Sequence, residues 1–202
     1  MPFDISQFIQ NGLVQGGARP SLFQIQVSSG GLENSMNLDT DAVTKLSFAC
    51  QGSELPPARN GEIHVPYFGR TIKVAGQQEF DDWSITVMND EDFLVREMFE
   101  SWINSINSTQ SNVRASGLNN ENYKADFTIY QYGKDGTVIR AYTMIGAWPK
   151  HVGPIQVSWD NKNQIETFQV QLAYDYWLPD EAAADTATAI PYQDAATGTS
   201  QN

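Results

Sequence analysis

The sequence predicts a mainly antiparallel β fold, of α+β class, carrying one amphipathic helix. Three observations lead there. Segments alternating apolar with polar residues recur along the chain, clusters of Gly, Pro, Asn and Asp separate them, and a convincing three-and-four apolar spacing occurs once. There is little trace of strand–helix–strand repetition, so an antiparallel sandwich or barrel with a helix attached is expected.

The elements follow in order. Residues 3–14 (FDISQFIQNGLV) space Phe3, Ile5, Phe8, Ile9 and Leu13 as a short irregular helix, which Gly16-Gly17-Ala18-Arg19-Pro20 stops. Ser21–Ser28 alternates as a strand with Phe23, Ile25 and Val27 inward, and Lys45–Gln51 reads as a second strand with Leu46, Phe48 and Cys50 on one side. Gly52–Gly69, with Pro56, Pro57 and Pro66, reads as a long ordered excursion. Arg70–Ala75 and Phe80–Met88 read as strands, the latter facing Trp83, Ile85 and Val87 one way. A helix over 90–106 opens on the carboxylates Asp90, Glu91 and Asp92, which suit a positive helix end. Its stripe is Val95, Met98, Phe99, Trp102, Ile103 and Ile106, and the Ser/Asn-rich stretch 107–122 ends it. Tyr123–Tyr132 and Thr137–Ile145 flank Gly133-Lys134-Asp135-Gly136 as a hairpin. After 146–154, a connection, Ile155–Trp159 and Gln164–Trp177 read as a last pair turning at Asp160-Asn161-Lys162-Asn163.

The 202 residues suit one domain, 1–177, followed by an acidic Ala/Thr-rich extension, 178–202, expected to be flexible or draped over the surface. Charged residues make up only 18%, so part of the polar surface is expected to have given way to partner surface. The net charge of −12 disfavours a phosphate-gripping nucleic-acid binder, which needs clustered Lys and Arg. The extension holds four acids and no base, so most of the acidity belongs to the body. A single cysteine, Cys50, permits no internal disulfide, and its apolar strand setting predicts a buried, inert thiol. Neither a secretory leader nor an apolar run near the ~18 residues of a membrane span is present, so folding in a cytoplasm without a membrane segment is expected.

Chemistry is sparse. His64 and His151 both fall in Pro/Gly-containing stretches, and no HxH, HExxH or CxxC spacing exists, so no metal or other cofactor is expected. The sharpest enzymatic alternative is an acidic carbohydrate-active protein, using Glu79, Asp81 and Asp82 beside Trp83. Turn or capping roles explain those carboxylates more simply, and Trp83, Trp102, Trp148, Trp159 and Trp177 mostly fall at core-phased positions. More informative are the strand faces turned away from the core. Asp82, Ser84 and Thr86 lie opposite Trp83, Ile85 and Val87, while Thr167, Gln169 and Gln171 lie opposite Phe168, Val170, Leu172, Tyr174 and Tyr176. These faces are small, polar and free of Lys and Arg. They suit an ordinary solvated sheet, or a wall past which a polyanion slides without sticking.

Three stretches carry a resemblance: ARPSLFQI (18–25), VPYFGRTIKVAGQQEFDDWSITVMNDE (65–91) and WPKHVGPIQVSWDNKNQIETFQVQLAYDYW (148–177). Within them GRTIKVAG (69–76), FDDW (80–83), VMNDE (87–91) and VGP (152–154) are the most specific. Together they resemble the tail tube proteins of T-even-type contractile phages, in consistent order from about residue 18 to 177. The linker before Tyr123 is longer than that family requires, and the extension beyond Trp177 falls outside it. The resemblance implies a non-enzymatic virion subunit, assembled in the host cytoplasm, that forms hexameric rings stacked inside a contractile sheath. Sheets of neighbouring subunits would join into a ring barrel, baseplate and tail-terminator proteins would meet the tube ends, and DNA would pass through without specific binding. The inner tube of a secretion or contractile injection system is the nearest alternative. On this reading Pro56, Pro57, Arg59, Pro66, Tyr67, Phe68 and Arg70 are candidates for contacts between rings. Asp82, Ser84, Thr86, Thr167, Gln169 and Gln171 are candidates for the lumen wall.

Overall fold

A computed structural model describes residues 9–11, 17–28, 39–114, 122–160 and 162–179. The expected helix over 3–14 and the extension beyond 179 therefore lie almost wholly or wholly outside the described residues. The described elements are β1 (Phe23–Ser28), α1 (Thr40–Ala49), β2 (Cys50–Ser53), β3 (Arg59–Tyr67), β4 (Arg70–Glu79) and β5 (Trp83–Met88). They continue with α2 (Leu94–Ile106), β6 (Ala125–Tyr132), β7 (Val138–Val152), β8 (Thr167–Ala173) and β9 (Tyr176–Pro179).

Seven strands form one antiparallel sheet in the order β1-β6-β7-β8-β5-β2, with β9 also paired to β7. The sheet does not close into a barrel within the subunit: among the described residues β1 pairs only with β6 and β2 only with β5. Strand β7 is the hinge of the sheet. Its first half pairs with β6 and β9 and its second half with β8, and Gly146, at φ 68°, lies between them. The positive φ is what makes the bend favour glycine, and a β-carbon at Gly146 would also push the Asp175 carboxylate aside.

Both helices contribute to the buried core, which has Trp83, Ile85, Val87, Phe127, Phe168, Val170 and Leu172 at its centre. The stripe of α2 is borne out, with Val95, Met98, Phe99 and Trp102 buried. Phe99 stacks on Trp102, Trp102 on Phe127, and Phe127 meets Trp83 edge-on, at ring separations of 6.3, 6.4 and 5.7 Å. Each buried indole N–H keeps a partner: Trp102 donates to the Tyr123 carbonyl at 2.8 Å and Trp83 to the Glu54 carbonyl at 2.7 Å.

Several expectations are corrected. A second long helix is present besides α2, because Lys45–Gln51 is mostly the end of α1 rather than a strand, and residues 9–11 of the short helix expected over 3–14 are helical. The deciding pattern lies upstream: Asp39 caps the helix by accepting from the Asp41 amide at 3.0 Å, and Ala42 and Leu46 are buried four residues apart. Phe48, assigned inward by alternation, is 75% exposed. Helix α2 starts at Leu94, not 90, because Phe93 sits at φ 54° and Asp90–Asp92 form a turn held by Lys45. The excursion 52–69 is largely strand, β3, and it pairs with β4. His64 and His151 therefore lie in strands β3 and β7 rather than in loops. Ile155–Trp159 is not a strand, so β8 pairs with β5 and β7 instead of forming a last hairpin. Tyr176 belongs to β9 and is exposed. Cys50 is half-buried, and burial pushes its thiol up to about 11.

Candidate assembly surfaces

The first surface is a projecting ribbon. Among the described residues β3 and β4 pair only with each other, and nearly every residue in them is exposed. The two-residue turn Phe68-Gly69 has φ of 43° and 78°, the positive pair that matches the twist of a tight hairpin. Register places Ile63 opposite Val74 and Val65 opposite Ile72, with Tyr67 opposite Arg70. Because facing residues share a side, one face of the ribbon is apolar over two successive pairs. The other face carries Glu62, His64 and Lys73, with Lys73 bonded to Glu62 at 2.8 Å. A lone two-stranded ribbon is at best marginal in water, and this one has no strand beside it and little cover among the described residues.

The contact candidates separate along this ribbon. Pro66, Tyr67, Phe68 and Arg70 meet at the tip, where Phe68 is 91% exposed and packs edge-on against Tyr67 at 4.7 Å. Pro56 and Pro57 instead anchor the base, Pro56 buried and the Pro57 carbonyl accepting from the Trp177 indole at 3.1 Å. Arg59 is also at the base, 3.4 Å from Glu79 and 3.7 Å from Asp81. Alternation missed the apolar face of Ile63, Val65, Ile72 and Val74 because half of it lay in what read as a loop.

The second surface is the sheet face turned away from the helices. Register sets Ser84 beside Gln171, Thr86 beside Gln169 and Met88 beside Thr167, so five of the six wall candidates form one patch. Asp82 precedes β5 and binds Lys150 at 2.6 Å. A lysine therefore does reach this neighbourhood, with its charge compensated. The other half of the sheet continues the pattern with Gln24 beside Tyr130 and Gln26 beside Thr128. Thr128 and Thr143 join hydroxyls across strands at 3.0 Å, and the Tyr132 hydroxyl donates to Gln24 at 2.8 Å. None of the residues in these rows is Lys or Arg. Gln24, Gln26, Thr128 and Thr143 were absent from the wall candidates, although the alternation of Ser21–Ser28 already placed Gln24 and Gln26 outward.

The third feature is the pair of free edges, β1 and β2, at opposite sides of the sheet. Each presents backbone donors and acceptors on one side with no strand beside it among the described residues.

The carbohydrate-active alternative loses its platform here. Trp83 is 1% exposed with its N–H bonded inward, so it cannot stack on a sugar. Asp90 and Asp92 each bind Lys45 at 2.5 Å, which holds both carboxyls below their ordinary range, with local amide donors adding to the effect. Among the described residues no group of three or more His, Cys, Asp or Glu could hold a metal ion, and no helix is long and apolar enough to cross a membrane.

A family model described as phage tail tube protein matches residues 18–179. The chain is 39% identical to tail tube protein gp19 of Enterobacteria phage T4 over 161 residues, covering 79% of this chain and 90% of that protein. The corresponding protein of Enterobacteria phage T6 is 38% identical over the same length and shares. Among solved structures, the sheath/tube terminator of an extracellular contractile injection system superposes with a TM-score of 0.59 at 16% identity, covering 83% of this chain and 99% of that one. At that identity the likeness concerns the fold.

Proposed function

Because the chain belongs to the phage tail tube protein family and is a tail tube subunit of a contractile-tailed phage, we propose that it assembles as hexameric rings stacked into a conduit for DNA. The observation that carries this is the combination of an open sheet with a polar outer face whose facing rows hold no Lys or Arg. A sheet with a free strand at each end of its order satisfies those two backbones when identical neighbours extend it, and a closed ring leaves neither uncovered. Closure in this way turns one whole sheet face toward the axis. DNA carries one negative charge per ~1.7 Å of its axis, so a wall rich in Lys and Arg would grip it through counterion release. A wall of Ser, Thr and Gln offers no such grip, and the net acidity of the subunit adds weak repulsion.

On this reading the subunit is structural rather than enzymatic, is made in the host cytoplasm, and resides in the virion tail. A sheath surrounds its tube, and baseplate and terminator proteins meet its ends. The projecting hairpin reaches the adjacent ring, with Pro66, Tyr67, Phe68 and Arg70 at the contact, while Pro56, Pro57 and Arg59 fix the direction in which it projects. The terminator likeness also fits an inner tube that delivers protein cargo, and cargo is what distinguishes the two readings. Electron microscopy of purified particles tests the proposal. Six-fold rings with the polar sheet face inward support it, and a bore lined with Lys and Arg, or subunits whose β1 and β2 edges stay uncovered, overturns it.

A further inference from the structure

The hairpin leaves the body at one end of the β2–β5–β8 half of the sheet, since its base joins the end of β2 to the start of β5. A second group of exposed apolar residues gathers at the opposite end. There α1 runs into β2 beside Val87, presenting Phe48, and β5 leads into the turn bearing Phe93. The loop from β7 to β8, which carries Val157, Trp159 and Ile165, is anchored at the same end. Arg96 donates to the Gly153 carbonyl at 3.2 Å, and the Asn89 amide donates to the Glu166 carbonyl at 2.8 Å. Trp159 is 99% exposed, an extreme value for the residue type most enriched at the centres of protein interfaces.

The two ends are also opposite in charge. The ribbon 59–79 holds Arg59, Arg70 and Lys73 against Glu62 and Glu79, a net positive segment on a chain of net charge −12. The far end holds Asp90, Glu91, Asp92, Asp160 and Glu166 against Lys45, Arg96 and Lys162. Two complementary surfaces at opposite ends of one subunit cannot meet within that subunit. They meet between copies, and a heterologous contact of this kind repeats along an axis without closing.

Resting on the tube reading above, we propose that the receptor for the hairpin tip is this far end of a subunit in the next ring. Phe48, Phe93 and the Trp159 loop take the apolar face of Ile63, Val65, Ile72 and Val74, while the acidic residues around them take Arg70, which register puts on that same face at the tip. The occupant is a second copy of this chain, and Trp159 is the anchor of the contact.

The test has two arms. In the first, Trp159→Asp and Trp159→Phe are compared with the parent chain for rings and for pelletable tubes. Trp159→Asp is expected to leave rings intact while raising the concentration needed for stacking at least tenfold, and Trp159→Phe to restore most of it. Loss of the rings themselves would place Trp159 inside the ring and overturn the proposal, as would unaltered stacking by Trp159→Asp. In the second arm, Phe68→Cys and Trp159→Cys chains are doped together as a minority into parent chains and treated with a short bismaleimide. Both sites are exposed, and the half-buried, mostly protonated Cys50 is a poor competitor. Covalent dimers that require both variants support the contact. Tubes that form without such dimers overturn the contact but leave the tube reading standing. A parent chain that never stacks, even on purified tail baseplates, overturns both.

Discussion

Cutting back the apolar face of the hairpin should weaken stacking without weakening the subunit, and the size of the effect can be worked from exposure. Val65 and Ile72 face each other across the ribbon and are 43% and 51% exposed. Full burial of a Val or Ile side chain is worth about 1.5–3 kcal/mol, so the half still exposed offers each of them about 0.7–1.5 kcal/mol on docking. Replacing both by Ser, as Val65→Ser with Ile72→Ser, therefore forfeits about 1.5–3 kcal/mol per contact. At ~1.4 kcal/mol per decade this raises the critical concentration for tube growth about ten- to a hundredfold. The local cost is one cross-strand pair, of about 0.2–1 kcal/mol, and it falls on a ribbon that contributes nothing to the buried core. The assay is the concentration dependence of pelletable tube, with a thermal melt of the unassembled subunit beside it. An unshifted critical concentration with an intact melt would refute the docking argument. A melt lowered by several degrees would refute the view that the ribbon stands apart from the body.

Two further outcomes are expected. Thr86→Lys with Gln169→Lys, a facing pair on the polar sheet face, should leave tubes of normal diameter but slow DNA ejection, with the defect relieved by added salt; ejection at the parental rate in low salt would remove this face from the lumen. The contact of Lys45 with Asp90 and Asp92 joins α1 to the turn before α2, and it sets a pH window. The two carboxyls are held below the ordinary value of 3.8, so their contribution is present above that pH and fades as the pH falls through their folded values. The ammonium is held above its ordinary 10.5, so its contribution is complete below that and fades as the pH rises past it. Lys45→Met should therefore melt below the parent at neutral pH and match it in strong acid, and melting curves over that range check this.

Much of the fold was legible in the residues because it depends on local pattern. Trp83-Ile85-Val87 and Phe168-Val170-Leu172 alternate cleanly and are buried as their period requires. The stripe of α2 and the Asp135-Gly136 hairpin were equally plain. The outward rows Ser84, Thr86, Gln169 and Gln171 followed from the same alternation, and so did their lack of basic residues.

Tertiary structure decided what period alone leaves open. Leu46-Phe48-Cys50 satisfies a two-residue period over a short run, yet the Asp39 cap and the packing of Ala42 and Leu46 made that run a helix end. Ile63 and Val65 looked like loop until Val74 and Ile72 were set opposite them, because the pairing of a ribbon is a relation between two segments and not a property of either. Trp159 carries the same composition signal as Trp83, but one is wholly exposed and the other buried. Hydrophobicity records that a side chain seeks cover. Whether the cover is its own chain or a neighbour's depends on where the backbone places it, and that is fixed only when distant strands meet.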